Sequence, residues 1–124
     1  MLAYTTLGTN DMARAKEFYG ELLSELGAGV AFDMDRFVAY STAPGAPMFA
    51  IVKPYDGGEA SVGNGTMVAI GASNPEQVKT LYDKARSLGA TCEGEPGPRM
   101  DGAFTCGYVR DLDGNKLNFF CMGS

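Results

Sequence analysis

The chain has 124 residues, 45% of them hydrophobic and 20% charged, a size and balance that fit one compact domain with a real core. Its net charge is −5 with no basic patch, which argues against nucleic acid, and no apolar run approaches the roughly 18 residues that span a bilayer. Histidine is absent, which removes Ser-His-Asp and Cys-His catalysis and imidazole-based zinc or iron sites.

The opening "MLAYTTLGTND" lacks a basic region followed by an apolar stretch, so no signal peptide is read and a cytoplasmic location is expected. A short strand is expected near residues 3 to 8. A helix follows, with Ala15, Phe18, Tyr19, Leu22, Leu23 and Leu26 on one face. Asn10 or Asp11 can cap its start and Gly27 can end it. Three strand candidates come next, near 29–33, 36–41 and 47–53. The segment "KPYDGGEASVGNG", residues 53–65, is glycine-rich and polar and reads as a connector.

The second half repeats this order. A strand near 66–71 precedes a helix whose stripe is Val78, Leu81, Tyr82, Ala85 and Leu88. Ser73 and Glu76 fit a capping box; alternatively Asn74 caps with Pro75 in the first turn. Gly89 supplies the stop. Strands are expected near 91–94, 103–110 and 115–121, with Asp113-Gly114 as the hairpin signal between the last two. "EGEPGPRMDGAF", residues 93–104, reads as a Gly/Pro-rich loop carrying Arg99 and Asp101.

The halves also match residue by residue. At a shift of 63, Gly8 meets Gly71, Lys16 meets Lys79, Tyr19 meets Tyr82 and Ser24 meets Ser87. After a one-residue slip, Leu26-Gly27-Ala28 meets Leu88-Gly89-Ala90. We read an internal duplication: module one over about 1–53, a linker over 54–65 and module two over about 66–124. Each is β-α-β-β-β. The expected fold is α+β, two tandem modules in a pseudo-symmetric curved sheet around a cleft, with the helices outside. Cys92, Cys106 and Cys121 match no zinc spacing and are expected to be buried free thiols.

Three stretches, "YTTLGTNDMARAKEFYGELL", "GTMVAIGASNPEQVKTLYDKARSLGA" and "YVRDLDGNKLNFF", resemble the vicinal-oxygen-chelate superfamily. That group contains glyoxalases, extradiol dioxygenases and bleomycin-resistance proteins. The last stretch is similar to its Asp-Pro-Asp-Gly-Asn turn, with Leu112 in place of proline. In metal-using members a first-strand histidine lies seven residues before the aspartate that opens the helix. Counting back from Asp11 gives Tyr4. The repeat places Met67 at the second histidine position, and Asn118 stands where the turn is followed by a glutamate. A fourth ligand, where used, comes from the strand carrying Met48, Ala50 and Val52. Phenol, thioether and amide are poor partners for a divalent cation. The resemblance, so substituted, implies no metal site and no cofactor.

Alternation then places Tyr4, Thr6, Met48, Ala50, Met67, Asn118 and Phe120 toward the cleft, with Arg99 near its mouth. Such a lining, mostly apolar with a few polar groups, suits a small organic ligand, and an acidic chain is compatible with a cationic one. The same residues would also simply fill a vestigial cleft, and Arg99 would also serve as a solvated loop charge. Asp111 and Asp113 are read as turn-forming rather than catalytic. The primary expectation is a metal-independent binding or sequestration protein. The alternatives are a glyoxalase-type lyase or dioxygenase with a metal site built from Glu93, Glu95 or Asp101, and a dimeric protein with a filled cleft. Enzymatic activity is left open. The resemblance implies a homodimer.

Overall fold

A computed structural model describes residues 1–124. The chain divides into two compact units, Met1–Val62 and Gly63–Ser124. The first contains β1 (Tyr4–Gly8), α1 (Met12–Ser24), β2 (Gly29–Met34), β3 (Phe37–Ser41) and β4 (Met48–Val52). The second contains β5 (Val68–Gly71), α2 (Pro75–Ser87), β6 (Thr91–Arg99), β7 (Phe104–Arg110) and β8 (Lys116–Met122). Each unit is therefore one βαβββ module, and the fold class is α+β as expected.

The duplication extends to topology. The sheets run β1-β4-β3-β2 and β5-β8-β7-β6, each with one parallel pair, β1 with β4 and β5 with β8. It extends to the helix ends as well. Ala28 N–H donates to Leu23 O and Gly27 N–H to Ser24 O; Ala90 N–H donates to Ala85 O and Gly89 N–H to Arg86 O. Both are the same glycine-terminated stop, with Gly27 at φ 73° and Gly89 at φ 108°, where a side chain would be strained. The sequence slip that aligned Leu26-Gly27-Ala28 with Leu88-Gly89-Ala90 is this motif in both copies.

The caps resolve two open choices. Asp11 caps α1, its carboxylate accepting from Arg14 N–H at 3.0 Å. Asn10 instead holds the connector, accepting from Ala60 N–H at 2.7 Å and donating to Ala60 O at 3.2 Å. Asn74 caps α2 by accepting from Gln77 N–H, and Gln77 Oε1 reaches back to accept from Ser73 N–H, both at 2.8 Å. The reciprocal box is thus closed by Gln77 rather than Glu76.

Each helix covers one face of its own sheet. In the first unit Phe18, Tyr19, Leu22 and Leu23 are buried with Leu7, Val38, Tyr40 and Ile51. The Tyr19 and Phe49 rings lie 4.7 Å apart. In the second, Val78, Leu81, Tyr82 and Ala85 are buried with Val109, Leu117 and Phe119. Fully burying side chains of this kind contributes about 1.5–3 kcal/mol each. The opposite faces, carrying the alternate residues, are where the predicted site residues fall.

Two expectations are corrected. Residues 93–99 are not loop: β6 continues to Arg99. It is an edge strand, where Pro96 and Pro98 need give up no ladder bond, and its pairing shifts register around Gly94. The turn proper is Met100–Gly102, all three at positive φ. The cysteines are free, but Cys92 is exposed while Cys106 and Cys121 are buried, because Cys92 sits on that same edge strand. Between Val52 and Val68 no helix or strand forms.

Candidate functional site

In the first unit, Tyr4 pairs with Met48 and Thr6 with Ala50 across the parallel β1/β4 ladder. Period-two alternation puts all four on the face away from α1. Phe37 and Ala39 of β3 and Phe32 and Met34 of β2 continue that face through the antiparallel pairs. The Tyr4 and Phe37 rings meet edge to face, centroids 5.6 Å apart, although they start from opposite ends of it. They therefore lean toward each other across Ala39 and Ala50, both fully buried. Tyr4, Phe32 and Met34 each remain about half exposed. A hollow of about 720 Å³ lies beside this face, bounded by Ala3, Val30, Phe32, Met48 and the Thr42–Ala46 loop.

In the second unit, Asn118 and Phe120 alternate along β8 on the face away from α2, while Leu117 and Phe119 are fully buried on the other. Tyr108 of β7 and Ala69 of β5 are the cross-strand neighbours of Asn118. Asn118 is only 5% exposed, yet its Oδ1 has no hydrogen-bond donor. Phe120 meets Phe104, ring centroids 5.4 Å apart. Met67 immediately precedes β5 and is exposed.

Arg99 is partly exposed, at the end of β6 rather than in a loop. Its guanidinium turns back over its own strand, donating from Nη2 to Glu95 O at 2.8 Å and from Nη1 to Gly97 O at 2.8 Å. Its Cζ lies 5.9 Å from the centre of the Tyr108 ring, and Lys116 Nζ lies 5.3 Å from the same centre. Gly94, opposite Tyr108, makes this possible. A Cβ there would stand 3.0 Å from the Tyr108 ring and 3.7 Å from Arg99 Nη2. The Tyr108 hydroxyl is held above its ordinary pKa of 10.0, chiefly by a hydrogen bond with the Cys106 side chain and then by burial, against the pull of Arg99.

The comparisons with known proteins agree with this architecture. The sequence model of the Glyoxalase/Bleomycin resistance protein/Dioxygenase superfamily matches residues 1–119. The chain belongs to this superfamily. A glyoxalase/bleomycin resistance protein from Albidiferax ferrireducens T118 is 34% identical, with 97% of each chain covered and a TM-score of 0.88. A glyoxalase-related enzyme from Fulvimarina pelagi shares the fold at 22% identity and a TM-score of 0.75, covering 100% of this chain and 95% of that one. A family enzyme from Burkholderia phytofirmans PsJN does so at 16% identity and a TM-score of 0.75, with 95% of each chain covered. No curated protein matches.

Superfamily membership raises the question of a metal, and the donor set answers it poorly. Tyr4, Met67 and Asn118 offer a phenol, a thioether and an amide, none of which holds a hard or borderline divalent cation well. Nor does any group of three or more Cys, Asp or Glu side chains gather where it could hold one. The residues do not fit the group.

The first aspartate of the glyoxalase-type turn is accounted for locally. Asp111 Oδ1 accepts from the backbone N–H of Asp113 at 2.9 Å and of Asn115 at 2.8 Å, and its Oδ2 accepts from Asn115 Nδ2 at 3.0 Å. Gly114, at φ 89°, completes the reversal. Leu112, at the family's proline position, lies beside Gly89 at the end of α2. Elsewhere, Asp35 pairs with Lys53 at 3.4 Å and Arg36 donates to Pro54 O, both as surface contacts. Glu93 pairs with Arg110 at 2.8 Å.

Tyr108, Lys116 and Gly94 were not singled out from the sequence. The alternation of "FTCGYVR" and "KLNFF" already carried Tyr108 and Lys116 onto the Asn118 face. What it did not carry was the fold-back of Arg99 that makes them a group.

Proposed function

We propose that this chain is a metal-independent small-molecule binding or sequestration protein of the glyoxalase/bleomycin-resistance type, cytoplasmic and working as a homodimer. The observation that carries the reading is Asn118, a nearly buried amide whose carbonyl oxygen has no donor. Such an orphan costs about 1–3 kcal/mol, a cost that makes sense where a ligand supplies the missing hydrogen bond. Two further features support it. The metal-ligand positions of the superfamily hold residues that orient an organic molecule rather than a cation. The faces away from both helices expose Tyr4, Phe32, Met34, Met67 and Met122, apolar surface of the kind that binds ligands or partners. No residue is assigned a catalytic role, and no helix is long and apolar enough to cross a membrane.

The test is a screen of small organic molecules of mixed charge by ligand-observed NMR, with and without a chelator. The expected result is binding that the chelator leaves unchanged and that Asn118→Leu or Tyr4→Ala weakens. Binding that appears only with an added divalent cation would overturn the proposal. Sedimentation of the purified chain reports the dimer directly.

A further inference from the structure

The second unit also carries information about the chemistry of the ligand, and this inference rests on the reading just given. Along β8 the face away from α2 runs Lys116, Asn118, Phe120, Met122. In order these are a cation, an orphaned amide, an aromatic ring and a thioether. Residues two apart on a strand lie about 6.6 Å apart, so the run from Lys116 to Phe120 spans about 13 Å. Arg99 joins the cationic end and Phe104 the aromatic end.

The cationic end lacks its anion. Arg99 and Lys116 each lie within 6 Å of the Tyr108 ring centre, and neither forms an ion pair with a carboxylate. Arg110, next along β7, is by contrast matched to Glu93. The main-chain carbonyls of Glu95, Gly97 and Pro98 engage three of the five guanidinium N–H groups of Arg99. Nε–H donates to none of them and Nη2 makes only one of these bonds, so the guanidinium keeps donor capacity for a carboxylate. The guanidinium is also fixed before any ligand arrives, by those carbonyls, by Tyr108 beneath it and by the missing Cβ of Gly94. A fixed, half-buried cation with donor capacity to spare is a preorganised anion site, and it loses little side-chain freedom on binding.

We propose that the second unit binds an organic carboxylate with an apolar, preferably aromatic, tail and a hydrogen-bond donor between the two. The carboxylate sits at Arg99 and Lys116. The donor, an N–H or O–H, closes on Asn118 Oδ1. The tail packs on Phe120 and Phe104. The overall charge of −5 does not oppose this, because screening confines each surface charge to roughly 8–10 Å and the nearby Glu93 carboxylate is already matched by Arg110.

Three matched probes separate the parts. Hippurate has a carboxylate, an amide N–H and a phenyl ring. In 3-benzoylpropionate a methylene replaces that N–H. In N-(2-aminoethyl)benzamide an ammonium replaces the carboxylate. Calorimetry or NMR titration of the full chain, with chelator present, should rank hippurate first and the ammonium analogue last. Arg99→Gln should weaken hippurate about tenfold and Lys116→Met about threefold. Asn118→Leu should erase the preference of hippurate over 3-benzoylpropionate. Lys116→Met removes only a partly exposed charge, so it remains informative if Arg99→Gln disturbs β6. The inference is overturned if the ammonium analogue binds as well as hippurate, if hippurate is indifferent to both cation substitutions, or if no carboxylate binds. Neutral or cationic molecules that bind without metal would then leave the broader function standing, whereas binding of hippurate only with added metal would overturn the broader function itself.

Discussion

Replacing Asn118 by leucine should stabilise the protein while damaging its function. Asn118 is 5% exposed and its Oδ1 has no donor, so folding removes that oxygen from water without return. The penalty for an unsatisfied buried acceptor is about 1–3 kcal/mol. Leucine has the same four-heavy-atom skeleton branched at Cγ, though bulkier; it keeps the strand pairings with Ala69 and Tyr108 and adds apolar area. After allowance for some misfit of the branched side chain, the net gain is about 1–2 kcal/mol. For 124 residues the unfolding entropy is about 0.26 kcal/mol/K, so Tm should rise by about 4–8 °C. Thermal unfolding followed by circular dichroism reads this directly, with a ligand titration on the same sample. A stabilised variant that has lost hippurate selectivity is the signature of a group retained for binding. A variant that is destabilised by 1 kcal/mol or more and still selects hippurate would show that Asn118 serves the fold, and the reasoning would fail.

Other consequences follow from single contacts. Gly94→Val forces a side chain onto the Tyr108 ring and Arg99, and should cost about 1–3 kcal/mol in denaturant unfolding while weakening hippurate as much as Arg99→Gln does. Asp111→Ala strips the acceptors from three hydrogen bonds of the β7–β8 turn and should cost about 3 kcal/mol, with Asp111→Asn recovering part of it. The Tyr40 hydroxyl, which donates to Lys16 O at 3.2 Å, has its pKa raised above 10.0 by burial and then by Asp33. The folded state therefore holds this proton more tightly than the unfolded chain. That contribution is complete below pH 10.0 and is lost as the pH climbs from there through the folded-state value. Tyr40→Phe should flatten the alkaline part of the stability profile.

Much of this was legible in the sequence because periodic patterns are dictated by burial. The stripes Phe18-Tyr19-Leu22 and Leu81-Tyr82-Ala85 can only be helix faces, and both helices lie within a residue or two of where their stripes and stops put them. The β6 segment failed for a definite reason. "GEPGP" is loop chemistry by composition, but an edge strand tolerates proline, and Gly94 absorbs the register shift. Arg99 failed with it. No pattern in one dimension shows that a terminal strand residue will curl back over a glycine and stack on a tyrosine one strand away. Asn118, by contrast, was conspicuous because it departs from a familiar turn. Its missing donor is a matter of three-dimensional surroundings.

The account rests on the claim that the superfamily's metal positions no longer form a metal site. Equilibrium dialysis of the purified chain against Mg²⁺, Mn²⁺, Fe²⁺, Ni²⁺ and Zn²⁺, followed by elemental analysis, tests it most directly. Tyr4, Met67 and Asn118 predict substoichiometric metal in every case, with no change in Asn118→Ala. A full equivalent of any of these ions per chain, lost in Asn118→Ala or Tyr4→Phe, would contradict it.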